Sequence, residues 1–367
     1  MYRTILSRPS LTGESLAALE DRWRRFALAA GSSFFQDWTW VGCLAAERYP
    51  DPVLLETFRD GELVALALFN RRATRRATES LYLHESTDPA LDSTFIEHNG
   101  PLISIADPVL RQSVLGHLLA RAMNDAVGEG HGRARRLVLS GVAPDCAGAA
   151  LLTGGVVNES STRLAPYVDF SLLPPTQPFI ERLSRNTRHQ LRRSNRQYAE
   201  KGALLLRRAE TVETGLEFLA ELIRLHNITW NARGKPGAFA TQAVRRFYQA
   251  LIATGVPNGE VDMLQVTGAN DVVGYLMNFR HRGIVSAYQS GFNYGGATQH
   301  QKPGLTCHFL AIEAYRAQGV TVYDFLAGPD RYKLSLANAQ RWLHWLTVAP
   351  RWRAQSLGAW VRRMIPA

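Results

Sequence analysis

Ile284-Val-Ser-Ala-Tyr-Gln-Ser-Gly-Phe292, Gln301-Lys-Pro-Gly-Leu305 and Thr321-Val-Tyr-Asp-Phe-Leu326 decide how this chain of 367 residues folds. The first is a nine-residue run rich in β-branched and aromatic residues, which reads as a strand. The second opens a helix running from about Gly304 to Gln318, and the third reads as another strand. Just upstream, Val261–Thr267 and Val272–Arg280 are apolar runs joined by a turn near Ala269-Asn270. The order is hairpin, strand, helix, strand. An antiparallel meander feeding a helix, with a strand returning beside it, describes an α/β (α+β) mixed sheet covered by helices.

Working outward, the first half repeats this order. Apolar residues recur at helical spacing over 14–30 and 37–48, with Asp37 as a cap for the second helix. Val53–Phe58 and Leu63–Phe69 flank Asp60-Gly61, a hairpin signal. Strands follow at Leu81–His84 and Gly100–Ile105, then a helix over 108–128 and strands at Arg135–Ser140 and Pro166–Phe170. His117-Leu-Leu-Ala-Arg-Ala leads to Arg136-Leu-Val-Leu-Ser-Gly141, as His308-Phe-Leu-Ala-Ile-Glu-Ala leads to Tyr323-Asp-Phe-Leu-Ala-Gly328. The shared order points to a duplicated unit. Ser171–Pro178 holds three prolines within five residues and reads as the linker between domains over 1–172 and 173–367. One basic helix over 179–201 ends at Gly202, and helices at 212–230 and 241–254 flank the loop Gly234-Lys235-Pro236-Gly237.

With 46% hydrophobic and 20% charged residues, the chain can fill a core in each half, and wholesale disorder is excluded. Met1–Ser15 has no apolar signal-like region and no run of 18 apolar residues occurs, so a cytoplasmic protein without a transmembrane segment is expected. Cys43, Cys146 and Cys307 are odd in number and far apart. They fit buried thiols in a reduced compartment, and no metal site is expected. The net charge is +10, and nine cations against two anions lie between Phe179 and Arg208. Such a cluster suits an anionic partner: a phosphate-bearing cosubstrate, nucleic acid or a lipid surface. Arg185, Arg188, Arg192 and Arg196 share one helix face, either a solvated surface or a platform for an anionic donor or acceptor. The basic, apolar end Arg351-Trp-Arg…Ile365 suits weak membrane-surface contact or docking on its own domain.

Several residues have the chemistry of a site. The helix opened by Lys302, Gly304 and Thr306 presents free N–H groups and a positive dipole end to an anion. On Ile284–Phe292, Tyr288 and Ser290 share one face and Gln289 takes the other. Polar groups inside a buried strand need partners, which a core or a substrate cleft supplies. Asp324 interrupts an apolar strand, where a carboxylate is a general base or one half of a structural pair. Lys333, one of only four lysines, suits an oxyanion or a phosphate, and Tyr332 suits protonation of a leaving group. Trp230 and the glycine-rich loop after it suit an acceptor-pocket wall or a lid.

Four stretches carry a family resemblance. They are the basic helix from Leu183, His226-Asn-Ile-Thr-Trp230 with Gly234 and Phe239, Gln301-Lys-Pro-Gly-Leu305, and Tyr323-Asp-Phe-Leu-Ala-Gly-Pro-Asp-Arg-Tyr-Lys333. Together they resemble the GNAT acyltransferases, in particular the bacterial FemAB-like proteins with two GNAT folds in tandem, including CelD-like cellulose-biosynthesis acetyltransferases. The resemblance implies two GNAT-like domains, with Asp324, Tyr332 and Lys333 as catalytic residues of the second. It implies an acyl donor held by Lys302, Gly304, Leu305, Thr306, Gln289 and Ser290, and substrate contacts from Arg188, Arg192, Arg196, Trp230, Tyr288 and Tyr323. The implied activity is N-acyl transfer from acyl-CoA, a cosubstrate rather than a resident cofactor, to an amine of a small-molecule or carbohydrate-linked acceptor. Alternatives are a Fem-type transferase using aminoacyl-tRNA and a catalytically silent pair of GNAT folds binding nucleic acid or another anionic partner. In many GNAT enzymes a Gln/Arg-x-x-Gly-x-Gly/Ala loop holds the donor pyrophosphate. Here Gln299-His-Gln-Lys-Pro-Gly304 has one glycine where that loop has two, which leaves room for another donor.

Overall fold

The structure is a computed structural model describing residues 1–73, 78–85, 96–124, 134–174, 176–200, 202–269, 271–295, 297–328 and 330–350. Lys201, Pro329, the end of the expected 108–128 helix and the basic stretch 351–365 lie outside the described residues. The chain forms two compact units, one of Met1–Arg163 with Trp342–Ala367, the other of Leu164–Arg341.

The first unit contains β1 (Tyr2–Ser7), α1 (Gly13–Ala30), α2 (Trp38–Arg48), β2 (Pro52–Arg59), β3 (Glu62–Ala73), β4 (Thr78–Leu83), β5 (Leu102–Ile103), α3 (Pro108–Asn124), β6 (Ala134–Val142), α4 (Pro144–Leu151) and the start of β7 (Gly155–Asp169). β1, β2, β3 and β4 pair antiparallel in sequence order, and β4 then pairs parallel with β6. The hairpin turns at Asp60 (φ 52°) and Gly61 (φ 91°), the left-handed pair that a two-residue primed turn needs. Asp37 accepts the Thr39 N–H (3.3 Å) and caps α2 as expected. α3 lays Val114, Leu115, Leu118 and Leu119 on Phe69, Leu81, Leu83, Leu137 and Leu139 of the sheet, all at most 1% exposed.

The second unit takes the rest of β7, then α5 (Phe179–Arg182), α6 (Arg185–Ala199), β8 (Leu204–Arg208), α7 (Val212–Asn231), α8 (Gln242–Gly255), β9 (Val261–Gly268), β10 (Asp271–His281), β11 (Ile284–Phe292), α9 (Pro303–Ala317), β12 (Val322–Asp324) and α10 (Arg331–Leu336). β13 (Ala339–Pro350) leaves this unit and pairs antiparallel with β6. β8, β9, β10 and β11 form an antiparallel meander, β11 pairs parallel with β12, and β12 pairs antiparallel with β7. The mixed sheets and covering helices are those expected.

Two features differ from the sequence reading. The units part at Arg163/Leu164, and the proline-rich stretch expected as the linker lies inside the second unit. β7 runs straight through the boundary, and Arg316 on α9 holds the stretch by donating to Pro174 O (2.8 Å) and Gln177 O (2.6 Å). The basic helix is also two helices. Leu183 is extended, and Ser184 Oγ accepts the Thr187 N–H (3.2 Å) to start α6 afresh.

Candidate active site

The site begins where two parallel strands part. β11 and β12 pair only from Ile284↔Val322 to Ser286↔Asp324, and β12 ends there while β11 continues to Phe292. At the same level β11 carries a bulge. Gln289 lies opposite Met277 and Ala287 opposite Asn278, so Tyr288 is the extra residue. A bulge re-aims side chains and breaks the simple alternation assumed from sequence. Tyr288 meets the Tyr248 hydroxyl of α8 (3.2 Å) and packs on Phe279 (4.7 Å). The Ser290 carbonyl accepts from His226 Nδ1 (3.2 Å).

Past the end of β11 lies a cavity of ≈ 460 Å³. Its walls are Asn186, Thr187 and Gln190 of α6, Phe292 and Tyr294, the start of α9 from Lys302 to Leu305, and Arg331, Tyr332 and Ser335 of α10. Pro303 has no N–H, and the N–H groups of Gly304 and Leu305 lie in the first turn, where no intrahelical acceptor exists. A Cβ on Gly304 would fall 3.0 Å from the Phe292 ring, so glycine lets strand and helix start close together. Lys302 and Arg331 add positive charge to the walls. The walls combine cations and free N–H groups with aromatic rings, which suits an anion with an apolar tail.

Part of the expected donor loop is already engaged. The Lys302 N–H donates to Ser194 Oγ (2.8 Å), Thr306 Oγ1 donates to Asn195 Oδ1 (2.8 Å), and Thr298 Oγ1 donates to Gln197 Oε1 (2.9 Å). α6 is thus stapled to the start of α9, and the Thr306 hydroxyl serves that staple. Of the arginine face, Arg185, Arg192 and Arg196 are exposed, whereas Arg188 is half-buried and donates to Leu183 O (3.3 Å).

Tyr332 lines the cavity, stacked on His308 (5.1 Å between centroids, 17°) and edge-on to Phe325. Burial, then the Asp330 charge, pushes its phenol well above the usual tyrosine range, so it stays protonated at neutral pH. Asp324 and Lys333 are not among the lining residues. Asp324 is 1% exposed; it accepts the Leu326 N–H (2.7 Å) and faces Arg341 at 3.6 Å. Leu326 has φ 62°, a strained value for a branched side chain. The Lys333 ammonium donates to Ala327 O (2.9 Å) and Leu326 O (3.4 Å). The two residues therefore hold one loop from its two ends. Tyr323, expected at a substrate, is fully buried with its hydroxyl 2.9 Å from His308 Nδ1. β12 is paired on both sides, by β11 and β7, and Tyr323 lies on the face covered by α9, against His308 and Tyr315.

Sequence reading missed Asn186, Thr187, Gln190, Phe292, Tyr294, Arg331 and Ser335. A faint signal existed: Asn186 and Gln190 are one turn apart on α6.

His308 is fully buried, and burial followed by the Lys333 charge lowers it to about 3; burial lowers His84 in the first unit to about 4. Both are neutral in the folded chain, while unfolded histidine titrates near 6.5. Below that value the unfolded state binds more protons, so their contribution is complete above about pH 6.5. It is lost as pH falls, with a slope of about 1.4 kcal/mol per pH unit for each histidine. Melting temperatures from pH 7.5 to 4.5 should fall steeply for the intact chain and less steeply for His308→Gln. Equal slopes for the two would contradict the assignment.

The first unit has a matching pair of parallel strands, β4 and β6, and there the gap is filled by Ile96–Gly100. Asn99 forms a parallel bridge with Val142 and donates its N–H to Gly141 O (3.0 Å). Its side-chain amide donates to Leu83 O (3.1 Å) and Ser140 O (3.0 Å), spanning both strands, and its Oδ1 lies 2.6 Å from His84 Nδ1. From the other side, Ser33 and Gln36 donate to His98 O (2.7 Å) and Gly100 O (3.0 Å).

Residues 185–334 match the family model described as acetyltransferase (GNAT) domain. The crystal structure of FemX is similar in fold: TM-score 0.60, 12% identity, covering 94% of this chain and 97% of that one. L-PGS from Bacillus licheniformis gives TM-score 0.51, 11% identity and coverage of 94% and 96%. The C-terminal domain of a putative lysylphosphatidylglycerol synthetase from Agrobacterium fabrum gives 0.50, 10%, and 93% and 94%. No curated protein matches the chain in sequence. The resemblance to GNAT acyltransferases is borne out over 185–334, and that to FemAB-like proteins in fold. Among the described residues no helix is long and apolar enough to cross a membrane.

Proposed function

We propose, from the premise that this chain carries a GNAT domain within a FemX-like fold, that it transfers an acyl group from a thioester donor of the acyl-CoA type to an amine. Acyl transfer is the chemistry of the family matched over 185–334. The observation that carries the reading is the cavity at the start of α9, where unpaired N–H groups, Lys302 and Arg331 meet the aromatic rings of Phe292 and Tyr332. The donor's phosphates lie against the Gly304 and Leu305 N–H groups, Lys302 and Arg331, and its acyl arm runs along Phe292 and Tyr332 toward the bulge at Tyr288. The amine attacks the thioester carbonyl, a C–N bond forms and the C–S bond breaks. The thiolate leaves with a proton from Tyr332, and the proton lost by the amine goes to solvent. Asp324 and Lys333 are positioning residues: they set the loop that leads into α10 and so aim Tyr332. Holding the reactants in register supplies much of the rate, as is general for such transfers.

Lys302→Ala tests the donor site. Titration calorimetry with acetyl-CoA and longer acyl-CoA species should show binding to the intact chain and roughly tenfold weaker binding to the variant, the order expected for one charge-assisted contact to phosphate. Unchanged affinity places the donor elsewhere.

A further inference from the structure

The segment joining α7 to α8 is a hydrogen-bonded loop that gathers positive charge. At the end of α7 the chain turns back on itself. The N–H groups of Arg233 and Lys235 both donate to Trp230 O (3.0 Å each), and Gly234 adopts φ 68°. The guanidinium of Arg233 then lies 5.6 Å, and the ammonium of Lys235 5.8 Å, from the Trp230 ring centroid. The far end of the loop is locked by His226. Its Nε2 accepts the Ala238 N–H (3.1 Å), and its ring meets Phe239 edge-on at 4.9 Å. Phe239 is fully buried, and a Cβ on Gly237, at φ 72°, would fall 3.0 Å from the His226 ring. The same histidine stacks on Trp230 (5.6 Å, 28°) and holds Ser290 O through Nδ1. One buried, neutral imidazole thus joins the loop to β11, the strand that bounds the cleft.

Both cations are exposed, and among the described residues neither has a carboxylate partner. Two like charges on one indole repel each other, and an anion between them would relieve that repulsion. His226 ties the loop to Ser290 O, two residues before the cavity-lining Phe292, and burial raises the phenol of cavity-lining Tyr294 against the opposing pull of the Arg233 charge. We infer that Trp230, Arg233 and Lys235 form a subsite for an anionic group, phosphate or carboxylate, on the amine acceptor. The inference rests on the acyl-transfer reading and narrows its acceptor to amines bearing such a group.

Matched probes test it. Calorimetry compares D-glucosamine 6-phosphate with D-glucosamine, and L-lysine with cadaverine, on the intact chain and on Arg233→Gln/Lys235→Gln. The anionic member of at least one pair should bind ten times or more tighter than its partner. The pair that discriminates tells phosphate from carboxylate. The double variant should erase the difference while its affinity for acetyl-CoA stays within twofold. Equal or no binding of both members in both pairs overturns the subsite, as does discrimination that survives the double substitution. Loss of acetyl-CoA affinity with discrimination intact assigns the cations to the donor and also overturns it. An intact chain that ignores acetyl-CoA yet discriminates the probes supports the subsite and refutes the acyl-CoA donor instead.

Discussion

Tyr332→Phe should lower turnover about a hundredfold while leaving donor affinity within about threefold, the loss typical of a removed general acid. The expectation follows from its two roles. Its ring lines the cavity and stacks on His308, contacts that phenylalanine keeps. Its hydroxyl, kept protonated by burial, is what the substitution removes. Single-turnover measurements with saturating acyl-CoA isolate the chemical step. Asp324→Asn and Lys333→Met provide the contrast, because both loosen the backbone at Leu326 and Ala327. They should lower the melting temperature and the turnover together, since a loosened loop misplaces Tyr332. Full activity in a folded Tyr332→Phe protein would remove this residue from the mechanism. Unchanged stability in both loop variants would remove the positioning role.

Gly141→Ala should destabilise the first unit by about 3–5 kcal/mol, near the upper end for a single substitution. Gly141 has φ 65°, and an added Cβ would clash with Ile96 O and fall 2.8 Å from Glu97 Cα. Neither atom is the end of a flexible side chain, so the segment filling the gap between β4 and β6 must be displaced. Asn99→Ala approaches the same defect from the other partner. It leaves Leu83 O and Ser140 O without their donor and Gly100 N–H without its acceptor, for a loss of about 2–4 kcal/mol. Chemical denaturation followed by circular dichroism measures both. Amide exchange at Leu83, Asn99 and Val142 should accelerate before that at β9–β11. A Gly141→Ala protein as stable as the original would mean that Ile96–Gly100 does not close the gap tightly.

Much of the fold was legible in local pattern. The Asp60-Gly61 hairpin, the meander Val261–Phe292, the helix opened by Pro303 and the repeated helix-to-strand order all follow from period, turn chemistry and caps that act within a few residues. Lys302 and Gly304 were legible as the start of a helix, a local feature, whereas packing set Tyr332 beside them. β8 escaped because Leu204–Arg208 alternates only in burial, a property conferred by β9. β1 and β13 escaped because they are defined by β2 and β6, the strands to which they pair. The role of a charged side chain depends on what lies across from it, and sequence spacing does not contain that. Asp324 read as a general base or half of a structural pair and Lys333 as an oxyanion or phosphate cation, and tertiary contacts set both on the backbone of one loop. Tyr323 looked like a substrate contact, and α9 covers it with His308 and Tyr315. The bulge at Tyr288, the staple of Ser194 to Lys302 and the filling of the β4–β6 gap by Asn99 join segments many residues apart. Local pattern determined which elements form. Only packing decided which polar groups satisfy one another and which remain open to a ligand.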